Sequence, residues 1–204
     1  MRIQIVIFNG FDELDAIAPY EVFANAAELG AELQVELVTL DSREEVTASH
    51  GLCLRPQGRL DLDTPAEIVV IPGGGWNNRA AAGAWAEFER GDLAKALTQL
   101  QQAGVTIAGV CTGGALLHAM GIVGDRAATT HHGAIADLQA AGIETPAARV
   151  VDEGSLITAG GVTSGLDLAL WIVEKHFGAQ IAIAVEDELE YQRRGTVWRN
   201  PTDV

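Results

Sequence analysis

The chain is short of positive charge and of cysteine, and it has no long apolar run. Thirteen Lys and Arg stand against 28 Asp and Glu, for a formal net charge of −15 at pH 7. Nucleic acid and anionic membrane both draw their affinity from clustered basic side chains, so neither is an expected partner. Cys53 and Cys111 lie far apart, with no CxxC and no paired-ligand spacing. That argues against a disulfide framework and a zinc site, and no metal or cofactor is expected. No stretch approaches the roughly 18 uninterrupted apolar residues of a membrane span. The opening Met-Arg-Ile-Gln-Ile enters a strand pattern at once, without a charged n-region, long apolar segment or cleavage site, so a cytoplasmic protein is expected.

What is present is an ordinary globular composition, 48% hydrophobic and 20% charged over 204 residues. One domain over 1–204 is large enough to bury its own core. Short β-branched runs alternate with stretches at helical spacing. IQIVIF (3–8), LQVELVTL (33–40), AEIVVIP (66–72) and VTIAGVC (105–111) read as strands. RAATTHH (126–132) reads as a further strand, and ARVVDEGSLITAGG as two strands around an Asp-Glu-Gly turn. EVTAS and LCLRP form a weak hairpin. Helices are predicted over 14–30, in DLAKALTQLQQAG, TGGALLHAMG, GAIADLQAAG and GVTSGLDLALWIVEKHFG, and in the acidic AQIAIAVEDELEY. Buried strands separated by helices imply an α/β fold, a three-layer sandwich around a mostly parallel sheet. Ligands bind such sheets where loops leave the carboxyl ends of strands.

Three of those loops carry unusual residues. Gly109-Val110-Cys111-Thr112-Gly113 has the form of a nucleophile elbow at a strand-to-helix junction. There the first turn of a helix favours negative charge, and a thiol lowered from about 8.5 to roughly 5 to 6 would be almost wholly thiolate. The competing reading is a buried packing cysteine, and the two stand about level. In VIPGGGWNN (70–78) the glycines free backbone amides to face a ligand, so Gly74 with Thr112 could form an oxyanion hole; a plain tight turn is the alternative. Phe11 to Asp15 crowds Asp12, Glu13 and Asp15 at a helix start. Such acids usually cap the helix, but the apolar residues after Asp15 would desolvate its carboxyl and raise its pKa, as a general acid or base requires. His131 and His132 sit at the tip of their segment, and nothing local shows that either meets the cysteine. Trp76, Trp85, Trp171 and Trp198 are most simply core or interface aromatics.

GFDELDAIAPYEVF, VVIPGGG, AGVCTGGALLHAMGIVGDRAATTHH and LITAGGVTSGLDLAL, in this order, resemble the ThiJ/PfpI superfamily over nearly the whole chain. Leu-Asp-x-x-x-Pro, Cys-Thr-Gly and Ala-Thr-Thr-His are similar to its isocyanide hydratase branch. The resemblance implies a flavodoxin-like homodimer with the cysteine near the subunit boundary. By position Cys111 is then the nucleophile, Asp15 its acidic partner and Thr112 the neighbour that helps hold the intermediate. Gly74, Gly75, Trp76 and His131 are the expected substrate-binding residues, with Asn77 beside them. Thr112 stands where the family's proteases carry His, which argues against proteolysis, and His132 replaces an aromatic residue of the hydratase branch. The basic DNA-binding domain of regulator relatives is not seen before Val204. The expected partner is a small-molecule substrate, an isocyanide hydrated to an N-substituted formamide. Glyoxalase-like hydration of methylglyoxal and a redox sensor built on Cys111 are the alternatives.

Overall fold

A computed structural model describes residues 1–200, so the last four residues of the expected 1–204 domain lie outside the description. The elements run β1 (Arg2–Val6), α1 (Glu13–Glu28), β2 (Gln34–Thr39), β3 (Val46–Thr47), β4 (Cys53–Leu54), β5 (Gly58–Arg59) and β6 (Ile68–Ile71). They continue α2 (Ala84–Arg90), α3 (Asp92–Gln102), β7 (Thr106–Val110), α4 (Gly113–Ala119), a 3₁₀ turn at His132–Ala134, and α5 (Ile135–Ala140). The chain then forms β8 (Val150–Asp152), β9 (Leu156–Ala159), α6 (Ser164–Phe177), α7 (Ala179–Glu188) and β10 (Val197–Arg199).

Eight strands make one sheet in the order β10-β8-β9-β7-β6-β1-β2-β5. All neighbours pair in parallel except the β8–β9 hairpin. Helices α1, α6 and α7 pack together as one layer, and α2 to α5 form the other. The result is a three-layer, flavodoxin-like α/β sandwich. Because both sheet faces are covered, the central strands read as unbroken apolar runs, and all four residues of β6 are buried. Helix α3 shows the opposite pattern. Leu93, Ala96, Leu97 and Leu100 recur at i, i+3, i+4 and i+7 and are its buried side, and each buried Leu contributes about 1.5–3 kcal/mol. Among the described residues no helix is long and apolar enough to cross a membrane.

The structure corrects the strand reading of RAATTHH. Residues 127–131 take no strand pairing. Their polar groups are taken up elsewhere: the Ala128 amide donates to the Glu144 carbonyl (3.0 Å), and the Thr129 amide to the Thr158 hydroxyl (2.8 Å). Threonine makes a run look β-like, but here its hydroxyls replace the ladder. Helix α2 and the short strands β5 and β10 are additional to the elements read from the sequence. Edge strands of two or three residues are too short to carry a period, and α2 is a seven-residue helix between Gly83 and Gly91.

Candidate active site

Cys111 follows directly on β7 and has φ +57°, a left-handed conformation that a non-glycine residue holds only under constraint. The constraint comes from both sides of its peptide. Its N–H is shared between the carbonyls of Ala159 (3.1 Å) and Gly160 (3.0 Å), at the end of β9. Its C=O accepts from the Gly114 amide (3.1 Å) and from the Thr130 hydroxyl (2.8 Å). Thus the segment that is not a strand buttresses the elbow from below. The turn also requires glycine at a point of close approach: a Cβ on Gly113 would lie 2.3 Å from the Ile71 carbonyl oxygen.

Helix α1 delivers the carboxyl. Asp12 is the helix cap, accepting from the Leu14 amide at 3.2 Å, so capping does not explain Asp15. Asp15 points inward from the first turn and is completely buried (0% exposed). Its Oδ2 accepts the Gly73 amide (3.0 Å), while Oδ1 is buried without a hydrogen-bond partner among the described residues. Burial, helped by the charge of Asp12, pushes the carboxyl up to about 8 against the pull of the Gly73 amide and the Cys111 thiol. At neutral pH Asp15 therefore carries a proton.

The thiol corrects the expectation of a lowered pKa. Cys111 is only 5% exposed, and burial first, then the Asp15 carboxylate, push it up to about 12. The helix mouth was legible in the sequence; the depth at which it sits was not. Of the two causes only burial acts at neutral pH, because Asp15 is neutral there. The backbone amides of Val162 and Thr112, directed at the sulfur, oppose the rise. Val162 was absent from the sequence reading; the signal was the Gly-Gly pair before it, placed after a strand as in the PGGG turn. Thiol and carboxyl titrate as a pair, and the first of their two protons leaves by about pH 8, the value Asp15 reaches. Iodoacetamide, which reacts with thiolate, should therefore modify Cys111 slowly at neutral pH, at a rate that climbs towards the strongly alkaline range where the thiol ionises. A rate that levels off near neutral pH would show that burial does not push the thiol up.

The remaining expected residues divide. Thr112 is buried beside the cysteine and receives the Gly74 amide on its hydroxyl (2.9 Å). This corrects the oxyanion-hole expectation for Gly74, whose N–H already has a partner. The amides of Gly73 and Gly74 hold Asp15 and Thr112 in place, and the donors facing the sulfur are Thr112 and Val162. Gly73 must be glycine for this, since its Cβ would lie 2.3 Å from the Thr112 hydroxyl. Gly75 borders an open cleft with Asn9, Gly10, Ser49 and Asn78.

Trp76 is likewise corrected from a pocket wall to a packing residue. It is buried, donates to Asp137 Oδ2 (3.0 Å) and meets Trp85 edge-on at 5.2 Å. His131 lies closer to the centre. Its ring sits against Gly161, where a Cβ would approach Cδ2 to 2.7 Å, and Asn77 abuts Gly133 nearby. Its Nδ1 accepts the Gly133 amide (3.1 Å), and it stacks on His132 at 4.1 Å. Burial and then His132 hold the His131 pKa below the usual value. His50, without context in the sequence, pairs with Glu13 at 2.6 Å. Hydrogen bonds from His50, the backbone and Ser49 overcome burial and hold Glu13 at about 2.

The sequence pattern of the DJ-1/PfpI family matches residues 1–175. An isonitrile hydratase from Pseudomonas putida is 33% identical over 194 residues, 94% of this chain and 78% of the relative. The Parkinson disease protein 7 homolog of Danio rerio is 28% identical over 92% of this chain and 96% of its own. Among solved structures, oxidized Toxoplasma gondii DJ-1 superposes with a TM-score of 0.80 at 19% identity, covering 94% of this chain and 99% of the other, which speaks to the fold alone.

Proposed function

The chain belongs to the DJ-1/PfpI family, and from that premise we propose that it is a cofactor-independent cysteine hydratase of small neutral electrophiles, with an isocyanide as substrate. One observation carries the reading: a fully buried carboxyl with one oxygen unpartnered, which burial pushes up to about 8, stands next to a cysteine held in a strained elbow. Structural carboxylates are ordinarily paired, and this one is kept as an acid. The likeness to the isonitrile hydratase supports the choice of substrate.

In the proposed reaction Cys111 Sγ bonds to the terminal isocyanide carbon. The thiol proton reaches that same carbon through the Asp15 carboxyl, which gives one proton and takes another. The product is a thioimidate, Cys111–S–CH=N–R. Water then adds across C=N, its oxygen bonding to carbon and its proton passing through Asp15 to nitrogen. Finally the C–S bond breaks, the hydroxyl proton returns to sulfur, and R–NH–CHO leaves. The sum is isocyanide plus water giving formamide, and both side chains end as they began. Negative charge on sulfur, at attack and at expulsion, is met by the Thr112 and Val162 amides.

Parallel assays on an alkyl isocyanide and on methylglyoxal test the reading. Formamide production dependent on Cys111 supports it. Turnover of methylglyoxal alone moves the chemistry to a glyoxalase-like hydration, and oxidation of Cys111 by mild peroxide with no turnover moves it to a sensor. The proposal includes a cytoplasmic homodimer, which sedimentation and fractionation check.

A further inference from the structure

The amide of Val162 faces the sulfur from a turn in which the Gly161 and Val162 carbonyls accept the Ser164 (3.0 Å) and Gly165 (3.2 Å) amides. Val162 has φ +35°, and a strained residue of this kind persists only where its surroundings over-determine it. The loop is bracketed by one residue. The Arg149 carbonyl accepts the Gly160 amide (2.9 Å), and the Arg149 guanidinium donates to the Thr163 hydroxyl (3.1 Å). Gly161 and Val162 are therefore clamped between two attachments to the same side chain and backbone. Arg149 is itself fixed: Nε and Nη2 both reach Asp167 Oδ2, at 2.8 and 2.7 Å. The Asp167 side chain is 4% exposed and also accepts from the Tyr191 hydroxyl (3.1 Å) and the Arg194 amide (2.8 Å). Removing one partner of a buried pair is strongly destabilising, so Asp167, with these donors converging on it, holds the guanidinium in one place.

We infer that Arg149 is a positioning residue for Cys111: anchored on Asp167, it holds Gly160 and Thr163 so that the Val162 amide stays directed at the thiol. The inference rests on Cys111 being the reactive group proposed above. The other titratable groups around the loop and the thiol are Asp15 on α1, His131 against Gly161, and Tyr191 on Asp167. Of these only Tyr191 feels Arg149 directly, and Thr163→Val leaves that contact in place. Only a planar fork serves the carboxylate and the hydroxyl together, so lysine is not an equivalent.

The test uses Thr163→Val, which removes the hydroxyl and keeps the shape, beside Thr163→Ser, which keeps the hydroxyl, and Arg149→Lys as an independent break in the clamp. Iodoacetamide alkylation is followed across the neutral range by mass spectrometry of the Cys111 peptide, since Cys53 is also free and exposed. Thr163→Val and Arg149→Lys should slow Cys111 alkylation about tenfold and move its pH profile up by about one unit. Thr163→Ser should stay within about twofold of the parent, as expected when the hydrogen bond survives. Wild-type alkylation rates in both Thr163→Val and Arg149→Lys, or equal slowing in the Ser and Val variants, would overturn the inference. No turnover is measured, so failure of isocyanide hydration leaves this result independent.

Discussion

Cys111→Ala is expected to reduce isocyanide hydration to the rate in protein-free buffer, the largest functional loss available in this chain. The other side chains at the site are otherwise engaged: the Thr112 hydroxyl accepts the Gly74 amide, His131 Nδ1 accepts the Gly133 amide, and Asp15 is protonated at neutral pH. The loss should be chemical rather than structural. Alanine meets the same left-handed constraint as cysteine at φ +57°, and the bonds of the Cys111 peptide itself, to Ala159, Gly160, Gly114 and Thr130, do not involve the sulfur. The stability change should lie within the about 0.5–3 kcal/mol of a typical point mutant. Formamide release followed by chromatography, with thermal unfolding alongside, separates the two effects. Hydration at the parent rate by a folded Cys111→Ala protein would end the proposed mechanism.

Asp15→Asn should slow hydration by about 10² to 10⁴, the usual contribution of a positioned acid or base, while changing stability in the opposite sense. The sign follows from the shift of the carboxyl from its ordinary 3.8 to about 8. The folded protein keeps a proton that the unfolded chain has already released above pH about 4. The stability this contributes is complete below the unfolded value and is lost as pH rises through about 8. Asparagine is nearly isosteric and does not ionise, so the variant escapes that loss. Parent and variant should melt at similar temperatures in acid, and the variant at the higher temperature in mild alkali. A parallel pH dependence of melting in the two proteins would show that Asp15 is ionised in the folded state at neutral pH. The proton relay would then have no acid.

Both expectations rest on features that differ in how visible they were beforehand. Gly109-Val110-Cys111-Thr112-Gly113 announced an elbow because a sharp strand-to-helix turn needs small residues in immediate succession. Continuous runs such as Ile68–Ile71 announced strands covered on both faces. The segment 126–132 misled because β-branched composition does not reveal whether a threonine hydroxyl or a neighbouring strand will take up the backbone. Trp76 after the glycine turn suggested a pocket wall, yet Asp137 and Trp85, distant in sequence, fold it into the packing.

The order of residues along the chain was by itself enough for the α/β architecture, the family likeness and the elbow, and through that likeness it pointed to Cys111 and Asp15 as the pair proposed to react. Each of these depends on residue type and near-neighbour spacing. Tertiary structure alone decided that Asp15 is sealed from water and neutral, that Cys111 is pushed up rather than down, that the Gly74 amide is occupied, and that Val162 faces the sulfur. Desolvation and hydrogen-bond partnership are set by groups brought together from distant points in the chain, and no local pattern records which of them will meet.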